Sequence, residues 1–204
     1  MMTRQMAEGA ARAAGRPRSE KAEKSIIEAT LEMIGEGIAV SELSIEGIAS
    51  RAGVGKTTIY RRWSNKEDLV VDALATLKPP LPPLRGDSVR DDLVAYLKVI
   101  QDESRHSRTR CIMNIAMSDS DRHPRLAARF DELAIQPRRA VMAEVLRRGV
   151  ERGELRPDLD VEMAMAILTG AMLWHTKWSQ RATDLPDDLA ERIVDEALRG
   201  FCPR

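Results

Sequence analysis

Between Ser44 and Trp63 the chain reads SIEGIASRAGVGKTTIYRRW, a run dense in side chains that recognise phosphate and base edges. Two short helical stretches are joined at Ala52-Gly53-Val54. Ser44 can cap the first by accepting a hydrogen bond from a backbone N–H two or three residues on. Ile48 and Ala52 share one face, small Ala49 permits close approach, and Gly53 can take the left-handed backbone of a tight turn. Ile59 and Trp63 carry the apolar face of the second stretch inward. Its outward face, opened by Gly55, keeps Lys56, Thr57, Thr58, Tyr60, Arg61 and Arg62. Hydroxyls and arginine forks suit base edges in a major groove, and cations with tyrosine suit phosphate. The spacing is that of a helix-turn-helix.

A rival chemistry overlaps these residues. Ser50-Arg-Ala-Gly-Val-Gly55-Lys56-Thr57 ends like a phosphate-binding P-loop, which would make the chain a nucleotide hydrolase acting through Gly55, Lys56 and Thr57. Serine stands where the first glycine belongs, the preceding residues have helical spacing, and the chain offers no strands for the sheet a P-loop needs. Other catalysis finds no support. His106, His123 and His175 lack metal-ligand spacing, and Cys111 and Cys202 are too far apart for a zinc or redox motif. No Ser/His/Asp, Cys/His or paired-carboxylate arrangement is argued by order and spacing. No catalytic residue, metal or cofactor is expected.

The elements that must hold this motif read as helices. Only seven of 204 residues are aromatic and alternating β-branched runs are scarce. Helical spacing is found instead at about 19–36, 44–51, 55–62, 64–77, 88–104, 108–118, 122–151, 160–181 and 186–201. An all-α chain of about nine helices is expected, with Pro137 kinking or splitting the longest. The prolines at 79–83 break the pattern. They divide a motif-bearing domain at 19–78, preceded by a basic leader at 1–18 without order, from a connector at 79–87 and a helical domain at 88–204.

Charge is balanced, with 32 basic and 32 acidic residues, yet segregated. From Ile26 to Ser50 there are five acids and no base, whereas Arg51, Lys56, Arg61, Arg62 and Lys66 follow within sixteen residues without an acid. Such clustering is an electrostatic footprint for phosphate, and a helical interaction module without DNA affinity leaves it unexplained. In the leader, Arg16 and Arg18 flank Pro17 in the manner of a minor-groove hook. The leader lacks the apolar core of a signal peptide, and no window approaches membrane-span length. A cytoplasmic protein without membrane contact is expected.

The run LSIEGIASRAGVGKTTIYRRWSNKEDLV resembles the DNA-binding signature of the TetR family of bacterial transcriptional regulators, in particular a subgroup whose second helix ends in Tyr-Arg-Arg-Trp. The likeness is dense over 19–78. It continues more thinly through His123-Pro-Arg-Leu, the Arg-Gly-Glu-Leu at 152–155, Leu168-Thr-Gly170 and Leu198-Arg-Gly-Phe. Gly47 and Thr57 stand where that subgroup would carry alanine, and the loop from Gly37 to Ser44 is slightly long. The resemblance implies a homodimer on a palindromic double-stranded operator, released by a small-molecule ligand; an activator of the same fold remains the alternative. It also implies that Ser44, Tyr60 and Lys66 touch phosphate while Lys56, Thr57, Thr58 and Arg61 face the groove.

The C-terminal half supplies the partner and ligand surfaces on this reading. Segment 160–181 is apolar over much of its circumference, and Leu189, Ile193, Ala197 and Phe201 recur four apart. With Gly170 and Ala171 allowing close approach, these residues are expected at a two-fold four-helix interface. Met113, Met117, Met165, Met172, Trp174, His175 and Trp178 are the candidate lining of a ligand cavity, since methionine and aromatic side chains adapt to apolar ligands. A hydrophobic effector is favoured over a highly charged one.

Overall fold

The computed structural model describes residues 16–81, 83–118, 122–178 and 185–201, and the side chains of Arg16, Arg18, Met117 and Trp178 lie outside what it describes. The described chain is helical throughout. Its elements are α1 (Arg16–Gly35), α2 (Ile45–Ala52), α3 (Lys56–Tyr60), α4 (Lys66–Ala75), α5 (Val89–Arg105), α6 (Ser107–Ser118), α7 (Pro124–Phe130), α8 (Gln136–Glu151), α9 (Val161–Leu173) and α10 (Leu189–Phe201). Two π-helical turns, Asp131–Ile135 and Trp174–Trp178, extend α7 and α9.

Helix α1 begins three residues earlier than its apolar pattern indicates. Arg16 and Arg18 therefore lie in the first turn of a helix, which corrects the extended hook expected around Pro17. Proline fits a first turn because its missing N–H has no intrahelical acceptor there. At the other end Gly37 is left-handed (φ 94°), and the amides of Gly37 and Ile38 return to the carbonyls of Ile34 and Met33. The same closure ends α2: Gly53 has φ 65° and ψ 35°, and Val54 N–H reaches the Ala49 carbonyl at 3.0 Å.

Pro137 splits its segment as its chemistry requires. It sits in the first turn of α8, directly after the π-helical turn. A proline ring here would collide with the Leu133 carbonyl in a continuous α-helix, and the wider turn relieves that crowding.

The apolar side chains form two cores. The first gathers Ile26 and Ile34 of α1, Ile48 of α2, Ile59 of α3 and Leu69 and Leu74 of α4, but also Ile112 of α6 and Leu126 and Phe130 of α7. The second joins α5, α8, α9 and α10 through Leu93, Leu97, Met142, Leu146, Leu168 and Val194. The division of cores is therefore not the division at the prolines. Helices α1 and α4 carry more apolar surface than a three- or four-helix unit can cover, and α6 and α7 close it.

Candidate functional site

The helix-turn-helix is assembled from caps and one buried face. Ser44 is the N-cap of α2, with extended backbone, and its Oγ accepts from Gly47 N–H at 3.0 Å. Ile48 and Ile59 are fully buried, and Trp63 is nearly so while its indole N–H donates to Asp72 of α4 at 2.8 Å. These contacts fix the roll of α3. Thr57, Tyr60 and Arg61 are left exposed on its outer side, with Lys56 at its first turn and Thr58 half-buried. Tyr60 is 57% exposed, unusual for so large a ring in a monomeric surface. Gly55 precedes the helix in extended conformation, and a Cβ there would meet only Thr57 Oγ1 at 3.7 Å. Its backbone geometry does not demand glycine; the missing side chain leaves the start of α3 open to close approach.

The basic run is less free than its sequence indicates. Arg51 makes a two-pronged pair with Glu36 at the end of α1, at 2.7 and 2.9 Å, and this holds the Glu36 carboxyl below its usual range. Lys56 pairs with Glu46 of α2, whose carboxyl is lowered by that hydrogen bond. Arg62 turns inward, donating to the Thr58 carbonyl at 3.0 Å and lying 3.7 Å from Glu23 of α1. Its side chain is only 12% exposed, so the expectation that Arg62 lies on the outer face is corrected. Lys66 donates to the carbonyls of Ser41 at 3.0 Å and Leu43 at 2.9 Å, and so clasps the loop before α2. Phosphate contact is left to at most its remaining N–H. Arg61 is exposed and has no side-chain partner among the described residues.

The nucleotide-hydrolase alternative fails on context. Residues 45–52 before the Gly55-Lys56-Thr57 step are helical, and no strand occurs among the described residues.

In the larger half a cavity of about 400 Å³ opens between α5, α8 and α9. Ile100, Ile135, Met142, Met165 and Leu173 give it apolar walls, while Lys78, Tyr96, Arg138 and Arg139 give it polar ones. A smaller cavity of about 90 Å³ adjoins it, sharing Lys78, Ile100 and Leu173 and adding Glu103, Arg110 and Met113. Glu103 is buried on α5 and accepts from Lys78 at 2.7 Å and from Arg138. Arg139 pairs with Glu162 at 2.8 Å on the outer side. Burial raises the Tyr96 hydroxyl pKa above its usual value, with nearby Arg138 opposing that shift.

Of the sequence-derived cavity candidates, Met165 lines the larger cavity and Met113 the smaller. Met172 is instead fully buried in the second core, Trp174 is 63% exposed, and His175 is half-buried outside both linings. The side chains of Met117 and Trp178 lie outside the described set. Leu189, Ile193 and Phe201, expected at a dimer interface, are buried in the chain's own second core, where α10 packs against α5 and α9. That corrects their assignment: a strongly amphipathic helix satisfies its apolar stripe within its own subunit. Ala197 is half-buried against the same core, Ala171 is half-buried, and Gly170 is exposed. Besides Tyr60 and Leu133, the exposed large apolar residues lie on α9 and just beyond it, among them Met163 (57% exposed), Ile167 (46%) and Trp174. With Gly170 these three form one row at helical spacing.

A polar recognition helix held rigidly by a packed head, joined to a helical body with its own cavity, is the construction of a DNA-binding regulator. The sequence profile of bacterial regulatory proteins of the tetR family matches residues 26–73. That of the tetracyclin repressor-like C-terminal domain matches residues 83–197. The uncharacterized HTH-type transcriptional regulator YdeS of Bacillus subtilis (strain 168) is 31% identical over 188 residues, 91% of this chain and 92% of its own. AqdR, an HTH-type transcriptional regulator of Rhodococcus erythropolis, is 26% identical over 184 residues, covering 90% and 86%. Among solved structures, the TetR family regulator SCO0332 aligns with a TM-score of 0.61 at 28% identity, over 90% of this chain and 100% of that one. The flavonoid-responsive regulator FrrA shares the fold, with a TM-score of 0.68 at 21% identity over 89% and 95%. The chain belongs to the TetR family of bacterial transcriptional regulators; it is a DNA-binding, repressor-type regulator and not an enzyme. None of its helices among the described residues is long and apolar enough to cross a membrane.

Proposed function

We propose that this regulator acts in the cytoplasm as a homodimeric repressor on a palindromic operator and leaves it when a hydrophobic small molecule fills the cavity beside α9. The observation that carries the reading is the roll of α3. With Ile59 and Trp63 buried, Thr57, Tyr60 and Arg61 point outward together, as a groove-reading helix requires. Lys56 joins them once it exchanges Glu46 for phosphate, and Ser44, whose Oγ already accepts from Gly47, can still donate its hydroxyl proton to the DNA backbone.

The outward row of Met163, Ile167, Gly170 and Trp174 supports two-fold pairing. An apolar row of this kind on a soluble surface marks an interface, and Gly170 lets two helices approach closely. Two copies place two recognition helices for successive major grooves, about 34–36 Å apart. Lys78, just beyond α4, lines the cavity, so ligand and DNA-reading head meet at one residue. A ligand that fits one arrangement of that junction better than the other shifts the population by its differential affinity.

Selection of bound duplexes from random DNA, followed by salt titration of the winner, tests the reading. An enriched inverted repeat whose affinity falls steeply with salt is expected. No enrichment at any salt concentration would overturn it. Within the winning site, Arg61→Ala should weaken binding by about 1–3 kcal/mol and relax the preference at one base pair of each half-site. Unchanged affinity and sequence preference would remove Arg61 from the groove.

A further inference from the structure

We infer that the cavity takes an apolar molecule carrying a single acidic group, and that Arg138, Lys78 and Tyr96 hold this group at the inner end of the apolar chamber. The inference rests on the cavity being the effector site, and adds the chemical class of its occupant.

Charge balance carries the argument. At the inner end Glu103 is the only carboxylate among the described residues that pairs with Lys78 and Arg138, so two cations share one anion. All three side chains are sequestered, at 20%, 12% and 6% exposure, which makes the excess positive charge costly to leave without a counter-charge. Arg110, lining the adjoining small cavity, donates to the Ser104 carbonyl and brings no further anion. At the outer side Arg139 is already matched by Glu162. The Lys78–Arg138–Glu103 cluster thus carries one unit of unbalanced positive charge, and Arg110 adds a further cation in the adjoining small cavity.

Donor geometry points to the same spot. Arg138 spends Nη2 on Glu103 and on the Pro79 carbonyl at 2.8 Å, while its Nη1 and Nε have no partner among the described residues. Lys78 uses one of its three N–H groups. The Tyr96 hydroxyl, on a side chain 4% exposed, has no partner among the described residues either. Arg138, Lys78 and Tyr96, which keep these unspent donors, all line the chamber walled by Ile100, Met142 and Met165. A carboxylate or an equally acidic oxygen accepts from a guanidinium, an ammonium and a phenol at once, whereas an alcohol of the same body offers less charge and fewer lone pairs. A volume near 400 Å³ leaves room for an apolar body behind that head group.

The test uses the purified full chain and matched pairs of probes. Octanoate, decanoate, dodecanoate and phenylpropanoate are compared with the corresponding alcohols by calorimetric titration, without DNA. At least one acid should bind about ten- to a hundredfold tighter than its alcohol, the range expected for gaining charged hydrogen bonds. Arg138→Gln should erase that preference. Glu103→Gln, which removes the competing carboxylate, should increase it, and Tyr96→Phe should reduce it a few-fold with the alcohol unaffected. Loss of packing could not move affinity in opposite directions for Arg138→Gln and Glu103→Gln. If no acid binds in the submillimolar range, if alcohols bind as tightly as acids, or if Arg138→Gln keeps the preference, the acidic occupant is overturned. Adding the operator to the same samples separates the two ideas. Acid binding that leaves the operator bound would overturn the effector role alone, and operator release by neutral alcohols only would overturn the acidic class alone.

Discussion

At Lys56, the first residue of α3, and Arg61, its C-cap, two cations stand in different states. Arg61 faces solvent without a side-chain partner among the described residues, whereas Lys56 is paired with Glu46. DNA must therefore displace a carboxylate to gain Lys56. Glu46→Gln should raise affinity for operator and random duplex alike and steepen the salt dependence, because one more cation arrives unneutralised. Fluorescence anisotropy at several salt concentrations reads both; unchanged affinity for both duplexes would mean that Lys56 makes no phosphate contact. Much of this face was legible in the sequence. The capping by Ser44, the turn at Gly53 and the inward Ile59 and Trp63 are local consequences of residue type. Arg62 and Lys66 were not legible, since their partners are Glu23 and the loop carbonyls of Ser41 and Leu43, brought near only by folding. Residue type tells that a side chain is charged and leaves open what it meets.

Among the elements, the contact between α8 and the start of α5 is the tightest at any described glycine. A Cβ on Gly149 would lie 2.7 Å from Val89 and 2.8 Å from Leu155, both buried. Gly149→Ala should destabilise the protein by about 1–3 kcal/mol, overpacking outweighing the gain in helix propensity of about 1 kcal/mol. Urea denaturation measures it, and a gain in stability would show that Val89 and Leu155 move aside. The helices themselves were readable from periodicity, and so was the break at Pro137. The cavity was not. Its walls come from α5, α8, α9 and the residues around Lys78, so no single stretch carries its pattern. Methionine and tryptophan positions point to Met165 but not to Tyr96, Arg138 or Arg139. The available signals were a tyrosine in the apolar stripe of α5 and two arginines directly after Pro137.

For the whole molecule, the outward row on α9 is the face proposed for the pairing of two copies. Ile167→Asp places a charge in its middle while leaving the subunit's own cores untouched, so helicity should persist as the sedimenting species changes from dimer to monomer. Operator affinity should fall with it, since half-sites then bind singly. A wild-type chain that sediments as a monomer at micromolar concentration would reject this face as the interface. The sequence led instead to Leu189, Ile193 and Phe201, because an apolar stripe read from one helix does not say whether its cover comes from the same chain or from a second copy.

The sharing of the first core by α6 and α7 bears on how such a protein can be cut and recombined. Ile112, Leu126 and Phe130 belong sequentially to the body and physically to the head. A fragment ending at the prolines would bare the seats of these three side chains, and should be poorly helical and prone to associate when followed by circular dichroism. A fragment folded as well as the intact chain would contradict this. A chimera spliced at the same point onto an unrelated body would carry the mismatch with it. The transplantable head is a discontinuous one, residues 16–78 together with α6 and α7, so head and body can exchange partners only as a matched set.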